Sequence, residues 1–174
     1  MYFCITFKTV TVYQLRALQI VPVSKSKAWE FLSNPKNLKV ITPSSMGFHI
    51  LSGADRPMYP GQIIEYKVKP FPFSSVRWVT EITHVAENDY FVDEQRFGPY
   101  VFWHHKHFLR ETLNGTVMED IVDYKLPFGI LGRLAHSFWI KKQLQHIFKY
   151  REQKLIQLFG EVQETKNALE LKRI

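Results

Sequence analysis

The stretch from Phe97 to Phe128, FGPYVFWHHKHFLRETLNGTVMEDIVDYKLPF, constrains the fold most, because it reads as two long β-strands joined at one turn. Asn114-Gly115 is the strongest short hairpin signal in the chain, since a type I′ turn needs positive φ at both central residues, which Asn and Gly tolerate best. With those two residues as the loop, Leu113 faces Thr116. Counting outward then sets Leu109 opposite Asp120, His107 opposite Val122, His105 opposite Tyr124 and Trp103 opposite Leu126. Side chains alternate with period 2, so these residues share one face, and the other carries His104, Lys106, Arg110, Glu119 and Asp123. The second set is largely charged, apart from residues such as Phe108 and Ile121, so the first is predicted to be the interior. Two histidines, a tyrosine and a carboxylate on an interior face need partners, water or a ligand.

The rest of the chain supplies the frame. Tyr13 to Val21 reads as a strand ended by Pro22, with residues 1–12 either extending it or forming a leader. That leader lacks the basic start, long apolar run and small-residue cleavage site of a signal peptide. Ser24 is a good N-cap for a helix through Trp29, Phe31 and Leu32. Asn34-Pro35 then stops it and starts a second short helix, which Thr42-Pro43 ends. From Met46 onward, Phe48–Leu51, Gln62–Lys69, Val76–Val85 and Tyr90–Phe97 are β-rich runs separated by turn material such as Pro60-Gly61. After Gly132, no Pro or Gly occurs until Gly160, and Leu131, Leu134, Phe138, Leu144, Ile147, Phe148, Leu155, Leu158 and Phe159 fall near helical spacing. A helix of about 25 to 30 residues would be about 40 Å long, enough to cross a sheet. Residues 161–174 are polar and are expected to fray as a tail. The predicted architecture is α+β: a curved antiparallel sheet of about seven strands wrapped around one long C-terminal helix, with two short helices after the first strand, as one domain over residues 13–160.

Composition narrows the function classes. With a single cysteine, Cys4, an internal disulfide and a cysteine-based zinc site are excluded, and a reducing, cytoplasmic setting is expected. No segment approaches the roughly 20 apolar residues of a membrane span. Aromatic residues make up 15% of the chain, which suits a thick core or a lined cavity. The net charge of +7 raises the question of nucleic acid or an anionic membrane, but it is also a common solubility feature. Nothing resembles an RNA- or DNA-reading module, and the sheet aromatics point inward, so no nucleic-acid partner is expected. Six basic residues between Arg133 and Lys154 against one acidic residue, Glu152, read as a solvated helix face that can also make peripheral contact with an anionic membrane.

Several motifs stand together: NPKNLKVITP at 34–43, Trp78-Val-Thr-Glu-Ile82, GPYVFWHHKHF at 98–108, Gly115-Thr116, Asp120-x-Val-x-Tyr124 and Leu126-Pro-Phe-Gly129. On these residues the sequence resembles the SRPBCC, or START-like, helix-grip superfamily. That superfamily also holds plant pathogenesis-related allergens, lipid-transfer domains, aromatic polyketide cyclases and coenzyme Q-binding proteins. More narrowly, the sequence is similar to a bacterial group of uncharacterised ligand-binding members. The resemblance implies an internal, mostly apolar cavity between sheet and long helix, open near the short helices. Because the superfamily holds both binders and enzymes, it implies no particular activity.

Trp103, His105, His107 and Tyr124 are the expected floor of that cavity, with Asp120 at one end and Tyr66 and Phe138 as further candidates. A ligand's polar head would meet the imidazoles while its apolar body lies among the rings, so the chain is expected to bind a hydrophobic or amphipathic molecule such as a lipid, quinone or polyketide. The bland alternative is a set of core histidines satisfied by Tyr124, Asp120 and buried water. The enzymatic alternative is a cyclase, dehydratase or hydrolase with His105 or His107 as general acid or base and Tyr124 or Arg77 polarising a carbonyl. No nucleophile with an activating partner, phosphate loop or cofactor motif fixes a reaction, so no catalytic residue and no cofactor is assigned. Histidines at i and i+2 on a strand can hold a metal, but with Asp120 only diagonal to His107 the ligand set is incomplete, and none is expected.

Overall fold

The computed structural model describes residues 10–71, 74–163 and 167–174. Strand β1 (Tyr13–Val21) is followed by helix α1 (Lys25–Leu32) and two 3₁₀ segments, Pro35–Lys39 and Ser44–Met46. Six strands come next: β2 (His49–Ser52), β3 (Gln62–Phe71), β4 (Ser74–Ala86), β5 (Tyr90–Phe97), β6 (Phe102–Thr112) and β7 (Gly115–Lys125). The long C-terminal helix runs 31 residues as α2 (Gly129–Ala135), a π-helical turn (His136–Ile140) and α3 (Lys141–Phe159). Both helix-start signals act as expected. Ser24 accepts a hydrogen bond from the Lys27 N–H, and Asn34 accepts one from the Lys36 N–H with Pro35 in the first turn.

All strands join one antiparallel sheet in the order β2-β3-β4-β5-β6-β7-β1-β8, where β8 is Ala168–Arg173. This eighth strand corrects the expectation of a fraying polar tail. Its alternating Leu169 and Leu171 pack against the core while the chain pairs with β1 from Tyr13↔Arg173 to Leu18↔Ala168. The run of alternation is too short there to stand out from a polar segment. Of the leader, residues 1–9 lie outside the described residues, and the strand itself starts at Tyr13.

The β6–β7 hairpin forms, but its register differs from the expected one. Thr112 pairs with Gly115, so Leu113 and Asn114 are the loop, and neither has positive φ. His107 therefore faces Asp120, His105 faces Val122 and Trp103 faces Tyr124. The partner moves by two residues, which preserves the inward face because side chains repeat with period 2. The physical reason lies in Gly115: at φ +129° it packs against the end of β1, where a Cβ would collide with the Val21 carbonyl oxygen. The glycine serves a close backbone approach, not the turn.

The outer face is charged as predicted, with Lys106 paired to Asp123 at 2.7 Å, His104 to Glu94 at 3.0 Å, and Arg16 and Arg110 covering Glu119. On the inner face, Leu144 and Phe148 of α3 pack on Leu15, Val122 and Tyr124, and Leu155 packs with Val21, Trp29 and Met118. A third cluster, Ile64, Tyr66, Val68 and Ile82, lies on β3 and β4. The helix is thus seated over β1 and β7. The space between it and β3–β6 remains.

Candidate functional site

That space is a cavity of about 190 Å³. One water needs only about 10–15 Å³ on the same measure, so this is far more than a packing defect. Phe31 and Leu38 from the short helices, Ile41 from the turn that follows, and Leu144 and Phe148 from α3 give it largely apolar walls. Across the sheet its floor holds Tyr66, Trp78 and Trp103, and at one place three polar side chains, Asp93, His105 and His107.

The polar group is set by strand register. Asp93 on β5 stands opposite His105 on β6, Phe91 stands opposite His107, and Asp120 on β7 stands opposite His107 from the other side. Each imidazole therefore lies between two carboxylates. The Asp120 carboxylate accepts a hydrogen bond from His105 Nε2 and forms an ion pair with Arg151 Nη1, both at 3.1 Å, and His107 Nδ1 approaches the same oxygen to 2.7 Å in a bent contact. On the cavity side, Asp93 Oδ2 is 3.1 Å from His107 Nε2 and 3.5 Å from His105 Nδ1. The two rings sit 3.7 Å apart, and Phe91 stacks on His107 at 4.1 Å.

The electrostatics follow from that placement. Burial opposes charge on every member. At Asp120 the charges of the Arg151 guanidinium and of His107, with the hydrogen bond from His105, overcome it and hold the carboxyl well below its usual range. At His105 burial prevails, aided by the neighbouring His107, and the pKa falls. At His107 burial is outweighed by Asp120 and Asp93, and the pKa rises. Burial, then the charge of Asp93, pushes the Tyr66 phenol upward, so its hydroxyl stays neutral.

Of the residues singled out in the sequence, Trp103, His105, His107 and Tyr66 line the cavity together. Asp120 lies beneath the imidazoles and does not meet the cavity. Tyr124 is fully buried, with its hydroxyl 2.7 Å from His136 Nε2, and is likewise outside the lining. Phe138 is a correction: it is 75% exposed and points away from the cavity, as do Leu131 and Leu134. The N-terminal part of the long helix buries only Gly132, His136 and Ile140, and the π-helical turn resets the helical phase before Leu144. Arg77 is also on the outside, paired with Glu65, and polarises nothing in the cavity. Arg151 is not part of a solvated basic face, because it is buried against Asp120.

Sequence reasoning missed Asp93 and Arg151. Their signals were present. Asp93 alternates with Phe91 on β5, and Arg151 falls on the stripe Leu144, Phe148, Leu155 of α3, a lone cation on an apolar face. Asp93, His105 and His107 also form a group with metal-ligating atoms within 4.8 Å of one another.

No protein-family model and no curated protein matches the sequence. Solved structures do match. A START superfamily protein from Mycobacterium smegmatis aligns at 16% identity over 84% of this chain and 99% of its own, with a TM-score of 0.63. A protein from Chromobacterium violaceum aligns at 10% identity over 86% and 99%, with a TM-score of 0.66. A norcoclaurine synthase point mutant from Thalictrum, solved with a transition-state analogue, aligns at 13% identity over 87% and 99%, with a TM-score of 0.60. At these identities the likeness is one of fold, and the chain has the START-like helix-grip fold.

Proposed function

We propose that this START-like chain binds a largely apolar small molecule, of lipid, quinone or polyketide type, inside the sheet–helix cavity in a cytoplasmic setting. The observation that carries the reading is the make-up of the lining: largely apolar walls, with polar side chains such as Asn37 and Gln143 among them, and one ionisable cluster, Asp93 with His105, His107 and Arg151. Small-molecule sites are usually divided in this way, with the apolar body buried and a few polar groups setting its orientation. A hydroxyl or carbonyl on the ligand would meet the imidazoles while its body lies against Trp78, Trp103 and Tyr66. Titration with 8-anilinonaphthalene-1-sulfonate tests the reading. One saturable site per chain is expected, weakened at least tenfold when Ile147→Trp fills the cavity. Unchanged affinity in that variant would place the probe elsewhere and count against the cavity.

The opposed shifts of His105 and His107 favour one second reading, an acid–base pair serving a cyclase-, dehydratase- or hydrolase-like reaction. A turnover assay on candidate ligands separates the readings, because a binder returns them unchanged.

Membrane contact belongs to the same proposal. Phe128, Ile130, Leu131, Leu134 and Phe138 are each more than half exposed along the start of the long helix. No acidic residue occurs between Asp123 and Glu152, and Arg133, Lys141 and Lys142 are exposed beside the apolar residues. An apolar ridge flanked by cations suits the interface of an anionic bilayer. Sedimentation with phosphatidylcholine vesicles carrying phosphatidylglycerol should capture the wild-type chain, less at raised salt, and should fail for Leu131→Glu/Phe138→Glu. Equal capture of that variant would overturn the assignment. No helix among the described residues is long and apolar enough to cross a membrane.

A further inference from the structure

We propose that Asp93, His105 and His107 hold a divalent transition-metal cation of the zinc or iron(II) class at the polar place of the cavity. Proton positions decide what these three groups can hold. His105 Nε2 and His107 Nδ1 both lie against one oxygen of Asp120, at 3.1 and 2.7 Å. Placing a hydrogen on each of these two nitrogens gives Asp120 a donor from both rings. A neutral imidazole that donates at one nitrogen is an acceptor at the other. In that tautomer His105 Nδ1 and His107 Nε2 are both acceptors facing Asp93 Oδ2, at 3.5 and 3.1 Å; the alternative is a hydrogen on His107 Nε2 that donates to Asp93.

Unless a proton sits on His107 Nε2, three acceptors converge there, an arrangement that calls for a cation. Arg151 also lines the cavity, but its ion pair is with Asp120 and not with Asp93. Among the described residues, no Lys or Arg pairs with Asp93; its ion-pair partners are the two histidines. Two cations can fill the place: a proton, which makes one ring an imidazolium, or a metal ion.

The geometry suits the metal. Ligands held at about 2.0–2.2 Å from one ion are about 3.0–3.5 Å apart, and two of the three edges here are 3.1 and 3.5 Å. The ligands sit on adjacent paired strands, His105 and His107 at i and i+2 on β6 and Asp93 next to them on β5, so the backbone fixes their relation. Asp120 behind the rings is the outer carboxylate that orients ligating histidines and sets their tautomer. Two imidazoles and one carboxylate, with further positions open toward the cavity, form the donor set of zinc and non-haem iron(II) sites, not of calcium or magnesium sites. The inference stands independently of which organic ligand the cavity takes.

Cobalt(II) alone is the probe. The full chain, stripped with a chelator and desalted, is titrated with Co²⁺ while its visible d–d absorption is recorded, and Zn²⁺ is then added to displace it. One equivalent per chain is expected, with bands stronger than those of the aquo ion. Asp93→Asn, His105→Gln and His107→Gln should each lose binding at least 100-fold, while Asp120→Asn should weaken it about 10- to 100-fold through the orientation of the rings. Thermal unfolding of each variant identifies any that fail to fold; the half-buried Asp93→Asn then decides. A wild-type spectrum identical to aquo cobalt, or Co²⁺ binding unchanged in a folded Asp93→Asn, would overturn the proposal and leave a proton as the cation between the three acceptors.

Discussion

Lowering the pH from 7 to 4.5 should cost this fold about 2.5 kcal/mol through His136 alone. The ring is 4% exposed, stacked on Tyr13 at 3.6 Å and 14°, and hydrogen-bonded to Tyr124 at 2.7 Å. Burial, and then the charge of Lys141, lowers its pKa to about 4. In the unfolded chain the value is about 6.5. The folded value lies below the unfolded one, so the unfolded chain takes up the proton first. The stability of the neutral ring is therefore fully present above about pH 6.5 and is lost as the pH falls from there toward about 4. A pKa difference of about 2.5 corresponds to about 3 kcal/mol in full, of which about 2.5 kcal/mol is reached by pH 4.5. Urea unfolding of wild type and His136→Phe at several pH values isolates this contribution, since carboxylates titrate in both proteins. The variant should be the less stable at pH 7, by about 1 kcal/mol for the lost hydrogen bond, and the more stable at pH 4.5. Stability curves that stay parallel from pH 7 to 4.5 would refute the reasoning.

Arg151→Met leaves Asp120 buried without its guanidinium and should cost about 3–5 kcal/mol in urea unfolding; adding Asp120→Asn should return much of that loss. Gly115→Ala should cost more than about 1 kcal/mol, because φ +129° and the Val21 carbonyl both oppose a Cβ, and thermal melting reads it directly. Replacing Leu169 and Leu171 by Ser should release β8 and uncover the edge of β1, seen as faster amide exchange in residues 13–18.

Local chemistry made most of the element order legible. Ser24 and Asn34-Pro35 announced their helices, and the alternation of apolar and polar residues announced β3 to β7 and the inward face with Trp103, His105 and His107. What stayed hidden depended on contacts between distant segments. The hairpin register turned on Gly115 meeting β1, which no turn propensity contains. The strand at Ala168–Arg173 exists because β1 offers it an edge. Arg151 read as a solvated cation until the fold placed it over Asp120, and Phe138 read as inward until the π-helical turn changed the helical phase. The candidate site was legible on one strand, at His105 and His107; its second carboxylate, Asp93, comes from the strand beside it.

The central claim is that the cavity receives a largely apolar molecule whose polar group meets Asp93, His105 and His107. Native mass spectrometry of the purified chain, with solvent extraction and identification of anything released, tests it most directly when Trp103→Ala and His105→Ala are run alongside. The account predicts a defined apolar compound bound one to one in the wild type and lost from both variants while they remain folded. A wild-type chain that carries nothing, and takes up nothing from a cellular lipid and quinone extract, would contradict it and make the two histidines members of the core.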